Sequence, residues 1–220
     1  MTDSQALIRN IPIFTDLDEA AIEAILQRSR ALTFRKNTVL MSEGETGECL
    51  YVIQSGSVKI FVSDEDGNEL ILFIEGAGSY IGEISLLDDA PRTASAVTLE
   101  KTQVLAISKS SFIECVELNP DIAFRIIRSM THRLRRATDN IRGLALKNVY
   151  QRLALKLIEL SVEVDDHRQL ERKYSHQELA NMIGASREMV GKILAELTKG
   201  GYIELDGQKL KLMRALPHDW

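Results

Sequence analysis

A carboxylate, an arginine and a hydroxyl lie close together in the segment YIGEISLLDDAPRTASAV, residues 80–97. Glu83 follows Gly82, and Arg92 and Thr93 come nine and ten positions after Glu83. Arginine and backbone amides bind phosphate, whereas a carboxylate accepts hydrogen bonds from ribose hydroxyls. These residue types therefore predict a site for a phosphate that is attached to a sugar.

The composition bounds the possible classes of protein. A chain of 220 residues with 45% hydrophobic residues can form one large core or two modest ones. Cys49 and Cys115 lie far apart and outside any CxxC pattern, so neither a disulfide framework nor a four-thiolate metal site is expected. The N-terminal residues do not resemble a signal peptide, and no segment approaches the roughly 20 apolar residues of a membrane span. We therefore expect a protein of the reducing cytoplasm with no membrane association.

The net charge of −5 is unevenly distributed along the chain. Counting Lys and Arg against Asp and Glu gives −10 for residues 1–120, +5 for residues 121–150 and 0 for residues 151–220. A neutral C-terminal part disfavours strong nonspecific affinity for DNA, although such a sum can hide a basic edge on one face.

The first half of the chain reads as short β-strands. Apolar, often alternating runs separated by glycines and by the turn SDEDGNE predict an antiparallel sandwich or barrel. Two helical patterns precede these runs, around Ser4–Ile8 and Asp18–Ser29. The runs are TVLMSEG, CLYVIQSGSVKIFVSD, ELILFIEGAGSYIG, TASAVTLE and TQVLAIS.

The period changes at Asn119, which we interpret as the N-cap of a long helix with Pro120 as its first residue. No Gly or Pro follows until Gly143. A heptad seam flanked by arginines predicts a dimerisation helix, and the alternative is an amphipathic helix that packs on its own domain. The residues of this seam are Ile127, Met130, Leu134, Ala137, Ile141 and Leu144.

The C-terminal segment carries a helix-turn-helix pattern. Ser175 and Glu178 form a capping box that begins one helix, Gly184 ends it, and Ser186 caps the next. Two short strands around a turn at Asp206 and Gly207 then form a wing. Four residues of the second helix are expected to face the core: Met189, Val190, Ile193 and Leu194.

Polar side chains on the second helix suit the reading of DNA. Arg187 and Lys192 can donate to guanine, and Glu188 can accept from cytosine. Ser186 at the helix start can hold a phosphate, and the alternative for this whole set is a solvated helix face. The complete set of expected DNA contacts is Ser175, Gln177, Ser186, Arg187, Glu188 and Lys192.

Three motifs in this order resemble the cyclic-AMP receptor protein and fumarate-nitrate regulator family of bacterial transcription factors, across essentially the whole chain. GEISLLDDAPRTAS is similar to the phosphate-binding cassette of that family, NPDIAFRIIRSMTHRLRRATDNI to its long helix, and ASREMVGKIL to its recognition helix. The resemblance implies an α+β fold. We expect a cyclic-nucleotide-binding jelly-roll β-barrel over residues 1–119, a dimerisation helix over 120–147 and a winged helix-turn-helix over 148–220.

The resemblance also assigns roles to the cassette. Gly82 and Glu83 would contact ribose, and Arg92 and Thr93 would hold a cyclic phosphate with help from the backbone amide of Ala94. The hydroxyl of Ser85 is an optional contact. The expected nucleotide-binding residues are Gly82, Glu83, Ile84, Ser85, Arg92, Thr93, Ala94, Arg133, Ala137 and Thr138.

The purine contacts depart from the pattern of the family. Members specific for cyclic AMP commonly carry Thr and then a hydroxyl residue where this chain has Ala137 and Thr138. Losing one hydrogen bond costs about 1 kcal/mol, so cyclic AMP stays the expected ligand at reduced affinity or selectivity. Arg133, Arg135 and Arg136 could pair with guanine or with a second phosphate, which makes cyclic GMP or cyclic di-GMP the alternative.

Other chemistries are disfavoured. Two cysteines cannot bind an iron–sulfur cluster, and the four histidines lie outside the predicted strands, which disfavours haem. Hydrolysis of a cyclic phosphate with Glu83 as base is disfavoured, because the sequence shows no metal-ligand cluster and no paired base to support it. A ligand-independent regulator with a vestigial pocket stays as a third class.

The resemblance implies partners as well. We expect a homodimer that binds a palindromic, TGTGA-like site in double-stranded DNA. The loop over Val162–Gln169 lies where activators of the family touch RNA polymerase, so the polymerase is an expected partner.

Overall fold

The structure is a computed structural model of the chain, and it describes residues 8–9, 11–15, 17–164, 167–206 and 209–217. The chain divides into two compact units. The first contains Met1–Val62 and Leu72–Arg135, and the second contains Ser63–Ile71 and Arg136–Trp220. The predicted helix at Ser4–Ile8 lies almost wholly outside the described residues.

Two four-stranded sheets form the barrel. The strands are β1 Ser29–Phe34, β2 Val39–Met41, β3 Cys49–Ser55, β4 Ser57–Ser63, β5 Glu69–Gly76, β6 Tyr80–Ile81, β7 Ser95–Thr98 and β8 Thr102–Ser108. One sheet has the strand order β1-β8-β3-β6 and the other β2-β7-β4-β5, and the register shows antiparallel pairing. The jelly-roll expectation and the α+β class are confirmed.

The two faces of the first sheet belong to two different hydrophobic cores. Val104 and Ile53 are buried in a cluster with Val58 from the second sheet. Leu105 and Ile107 belong to another cluster, which contains helical residues. Because successive side chains of a strand point to opposite faces, the first sheet packs against both its partner sheet and the helices.

The helices that begin in the described part of the first unit are α1 Glu19–Gln27, α2 Ile84–Leu87, α3 Lys109–Leu118 and α4 Asp121–Leu146. A 3₁₀ turn at Pro12–Phe14 precedes them. The helix predicted over Asp18–Ser29 is shorter than expected, because Asp18 is its N-cap and Ser29 already pairs with Ile107 in the sheet.

The proposed cap at Asn119 is wrong. The Asn119 side chain donates to the Cys115 carbonyl oxygen at 3.2 Å, and Asn119 is the C-cap residue of α3. The Asn119 backbone amide donates to the same Cys115 carbonyl oxygen at 3.0 Å, so both the side chain and the backbone of Asn119 are bonded to the end of α3. Helix α4 then begins at Asp121 and continues through Gly143.

The second unit carries the helix-turn-helix. Ser175 and Glu178 form the expected capping box, Gly184 has a left-handed φ of 61°, and the Ser186 side chain accepts from the Met189 amide. From Val149 onward, the elements in chain order are α5 Val149–Glu159, β9 Ser161–Val164, β10 His167–Leu170, α6 His176–Ile183, α7 Arg187–Lys199, β11 Ile203–Asp206 and β12 Lys209–Leu212.

Two predictions about this unit have different outcomes. Val190 and Leu194 are buried and Ile193 packs against the same cluster, as expected. Met189 is exposed instead, because the third residue of α7 lies to one side of the buried stripe. The strands of the wing pair as β11-β12-β10-β9, whereas the centre of the predicted turn, Gly207, lies outside the described residues.

Candidate functional site

The cassette begins where β6 ends. Gly82 has a φ of 89°, which is a left-handed conformation that favours glycine, and a Cβ there would collide with the Arg92 guanidinium. Glu83 follows as the residue before α2. The turn therefore places a carboxylate and the first helical residues directly beside an arginine.

Arg92 points into this turn. Only 5% of the residue is exposed. Its Nη1 donates to the Gly82 carbonyl oxygen at 2.5 Å and to Ser85 Oγ at 2.8 Å, and its Nη2 donates to the Cys49 carbonyl oxygen at 2.6 Å. These acceptors fix the plane of the guanidinium within the cassette.

The loop that precedes β3 contacts the cassette, which no local sequence pattern predicted. The Arg92 amide donates to the Glu45 carbonyl oxygen at 2.8 Å, and the Gly44 amide donates to the Arg92 carbonyl oxygen at 2.9 Å. A Cβ at Gly47 would collide with Ser85 Oγ. Gly47 was visible in the sequence only as one of several glycines between apolar runs, and nothing in its neighbours indicated this contact.

Glu83 is the buried acid of the site, with 1% of its surface exposed. Its Oε1 accepts from Arg133 Nη1 at 2.6 Å. Its Oε2 has no hydrogen-bond partner among the described residues. Burial raises the pKa of the Glu83 carboxyl, and the nearby Arg133 charge opposes that rise.

Helix α4 supplies the second arginine. Besides Glu83, Arg133 binds the Tyr80 carbonyl oxygen, with its Nη2 at 2.7 Å. Its guanidinium carbon lies 5.0 Å from the centre of the Tyr80 ring. Tyr80 is a buried core residue, and it also positions Arg133.

The structure thus brings together five of the expected nucleotide-binding residues: Gly82, Glu83, Ser85, Arg92 and Arg133. Thr93 is exposed beside them and Ala94 is buried, whereas Ile84 is partly exposed on α2. Ala137 is half-buried and Thr138 is exposed, and both belong to the second unit.

The site therefore combines a Glu83 carboxylate oxygen that has no partner among the described residues with two arginines, Arg92 and Arg133, whose orientations are fixed by hydrogen bonds. A buried carboxylate oxygen accepts from a hydroxyl, and a guanidinium with fixed orientation binds phosphate oxygens in a charge-assisted manner. The low local dielectric strengthens both interactions.

The second candidate site lies on α7. Arg187, Glu188 and Lys192 are all exposed. Hydrogen bonds from its own amide and from the Ser186 hydroxyl lower the pKa of the Glu188 carboxyl, with smaller contributions from the Arg187 and Lys192 charges. Glu188 is therefore an ionised acceptor at the start of the helix.

The first helix of the pair holds its polar residues in local contacts. Ser175 Oγ accepts from the Glu178 amide at 3.1 Å, and Gln177 Nε2 donates to Asn181 Oδ1 at 2.7 Å. Both Ser175 and Gln177 are exposed. Their side chains have capacity left for a phosphate, because a hydroxyl and an amide each make more than one hydrogen bond.

Two features are absent from the described residues. Within the ranges that the structure covers, no group of three or more His, Cys, Asp or Glu residues could hold a metal ion. Among the same residues, no helix has the length and apolar character needed to cross a membrane.

Both halves of the chain match known families. Residues 31–119 match the cyclic nucleotide-binding domain, and residues 151–216 match the Crp-like helix-turn-helix domain.

Curated relatives and solved structures extend the match to nearly the full chain. The chain is 32% identical over 202 residues to the CRP-like cAMP-activated global transcriptional regulator of Mycobacterium tuberculosis, covering 90% of each. It is 30% identical to the cAMP-activated global transcriptional regulator CRP of Salmonella typhimurium, covering 87% of this chain and 93% of that one. The structure of the c-di-GMP responsive global regulator CLP of Xanthomonas campestris is similar, with 29% identity, a TM-score of 0.78 and coverage of 89% and 99%. The chain therefore belongs to the family of the cyclic-AMP receptor protein and the fumarate-nitrate regulator, whose members are DNA-binding transcription regulators and not enzymes.

Proposed function

We propose that this protein is a transcription regulator whose affinity for DNA is controlled by cyclic AMP bound in the barrel. The observation that carries the proposal is the geometry around Glu83. One carboxylate oxygen is held by Arg133 and the other is unpaired among the described residues, while Arg92 is held in the same turn by the Gly82 carbonyl oxygen.

Each cassette residue has a role in this proposal. Glu83 Oε2 accepts from the ribose 2′-hydroxyl, which removes the cost of leaving a buried acceptor unpaired. Arg92 binds the cyclic phosphate, with the exposed Thr93 hydroxyl and the amide of Ala94 completing the contacts. Arg133 holds Glu83 ionised and oriented.

The purine is recognised from α4. Thr138 offers a hydroxyl, whereas Ala137 offers none. Cyclic AMP is favoured because the acid, the arginine and the hydroxyl suited to one ribose and one cyclic phosphate are all present, and because the relatives from M. tuberculosis and S. typhimurium are named as cAMP-activated.

Cyclic di-GMP is the second candidate, with cyclic GMP beside it. The structural relative from X. campestris responds to cyclic di-GMP. Arg135 and Arg136 are exposed next to Arg133 and offer donors to guanine or to a second phosphate.

Calorimetric titration of the protein with the three nucleotides tests the ligand. The expected result is micromolar or tighter binding of cyclic AMP, with weaker binding of cyclic GMP and cyclic di-GMP. A preference for either guanine nucleotide would assign specificity to the arginines of α4 instead.

The affinity for cyclic AMP is expected to fall in mildly acidic solution. The raised pKa of Glu83 means that it takes up a proton at a higher pH than an ordinary glutamate, and protonation removes its charged contact with Arg133. Titrations between about pH 8 and about pH 5 should therefore show weakening as the pH falls. The Glu83→Gln variant has no titrating group here, so its weaker binding should lack this slope. An equal slope in both proteins would contradict the assigned role.

We also propose that the DNA-binding form is a homodimer. The predicted seam of α4 exposes large apolar side chains in the chain as described, namely Ile127, Leu134, Ile141 and Leu144. A second copy would cover them in a two-fold interface. A dimer presents two recognition helices to half-sites about one helical turn apart, which corresponds to a palindromic TGTGA-like site. RNA polymerase as a partner and a cytoplasmic location complete this proposal.

Replacing Glu188 with Ala should relax the preference at one base pair of each half-site. Its carboxylate is an exposed acceptor suited to cytosine N4, and a lost base contact costs about 1–3 kcal/mol of discrimination. Selection of binding sites from a random pool measures this preference. The exposed Glu196 lies further along α7, and Glu196→Ala serves as the control. Identical selected sites for wild type and Glu188→Ala would refute the assignment.

A further inference from the structure

One large apolar side chain is exposed on α7, within the part of the chain that the structure describes. Met189 is 44% exposed, whereas Val190, Leu194 and Leu197 are buried in the core of the winged helix. Met189 belongs neither to that core cluster nor to the partly buried residues that pack against it. Its side chain therefore contributes little to holding the unit together.

The position of Met189 is set by the helix cap. Its amide donates to Ser186 Oγ at 3.2 Å, which places it in the first turn of α7. Residues along a helix advance by about 100°, so Glu188, Met189 and Lys192 fall within an arc of about 100°. The thioether thus lies at the edge of the face that carries two of the expected base readers, near the helix end that enters the major groove.

We propose that Met189 is a specificity-determining residue that contacts the 5-methyl group of a thymine. This inference rests on the proposed reading of DNA by α7. The thymine methyl is the apolar feature that a base pair displays in the major groove, and it is recognised by apolar side chains. Methionine is unbranched and polarizable, so it can adapt its shape to a methyl group beside polar contacts.

Single exposed apolar residues are common on protein surfaces, and exposure alone would carry no inference. Met189 is distinguished by its neighbours on the same face. Glu188 and Lys192 can each bond to a base edge but cannot discriminate thymine from uracil, because those bases differ only in the methyl group. An apolar group beside them adds a kind of readout that these polar side chains lack.

The test removes the methyl group from the DNA. A duplex selected by the wild-type protein is prepared with each thymine of the half-site replaced in turn by deoxyuridine, in both half-sites. Affinity is measured with the full-length protein and cyclic AMP present. At one thymine position, the replacement should weaken wild-type binding about three- to fourfold per half-site, the change produced by one methyl-sized apolar contact.

Variants then assign the effect to Met189. Met189→Gln is similar in length but polar, and it should bind the thymine and deoxyuridine duplexes equally. Met189→Leu keeps an apolar side chain and should keep the difference. Leu155→Gln changes a similarly exposed apolar residue on α5 and should behave as wild type.

Two results would overturn the inference: no thymine whose methyl matters to the wild-type protein, or a methyl effect that persists unchanged in Met189→Gln. Failure of the proposed function is a different result. In that case the wild-type protein selects no DNA sequence, with or without cyclic AMP, and Met189 has no base to contact.

Discussion

Replacing Arg92 with glutamine is expected to weaken cyclic AMP binding by about 100-fold, because charge-assisted hydrogen bonds contribute about 1.5–3 kcal/mol. The guanidinium is buried, and its orientation is fixed by the Gly82 and Cys49 carbonyl oxygens. Arg92→Lys should recover part of the affinity, since it keeps the charge but loses the planar fork that matches phosphate. Calorimetry measures the three affinities.

Two controls separate ligand binding from folding. Arg30→Gln changes an exposed arginine on β1 and should leave the affinity for cyclic AMP unaltered. Ser85→Ala removes one internal partner of Arg92 while keeping the guanidinium, and it should change the affinity much less than Arg92→Gln. Denaturant unfolding identifies any variant that has lost its fold. Wild-type affinity in a folded Arg92→Gln protein would contradict the phosphate role.

Replacing Leu134 with Asp is expected to convert the protein to a monomer and to weaken DNA binding by about 100-fold or more. Leu134 is 67% exposed at the middle of the seam of α4. In a two-fold interface the variant would bury two carboxylates, which is strongly unfavourable. A monomer also loses the gain from binding two half-sites at once, and such gains reach about 100-fold to 10,000-fold. Sedimentation and DNA titration measure the two effects.

A matched variant places the same charge elsewhere on the helix. His132 is exposed on α4 outside the seam, so His132→Asp should remain dimeric and should bind DNA as wild type does. Leu134 is exposed in the single chain, so its replacement removes little packing within that chain. Leu134→Asp should therefore unfold at nearly the wild-type denaturant concentration, after correction for the stability that dimerisation adds to the wild type. A Leu134→Asp protein that is still dimeric would show that the interface lies on another surface.

Local signals explain which elements could be predicted from sequence. The caps at Ser175 and Ser186 and the end of a helix at Gly184 follow from short-range rules, and all are confirmed. Strand alternation likewise predicted the barrel, because burial on a sheet has a period of two. The α+β class and the family resemblance are also confirmed. They could be predicted because they rest on motifs that are contiguous in the chain.

Contacts between distant segments could not be predicted in this way. The Cys49 carbonyl oxygen and the loop at Gly47 contact the cassette because the fold brings these distant segments together, and no local sequence pattern indicates such contacts. The sequence pattern places Asn119 at the wrong helix, since an Asn side chain can bond either to the end of α3 or to the start of α4 and the choice depends on the packing of the two helices. The apolar character of Met189 alone predicts a core position, but its angular position on α7 lies beside the buried stripe, and the residue is exposed.

Control of DNA binding by cyclic AMP is tested by the affinity of the wild-type protein for a selected palindromic duplex, with and without saturating cyclic AMP. Fluorescence anisotropy at fixed salt measures both values. Cyclic AMP should tighten DNA binding by about tenfold or more, within the usual range of coupling between two sites. Equal affinities with and without cyclic AMP, cyclic GMP and cyclic di-GMP would contradict it and would instead indicate a ligand-independent regulator.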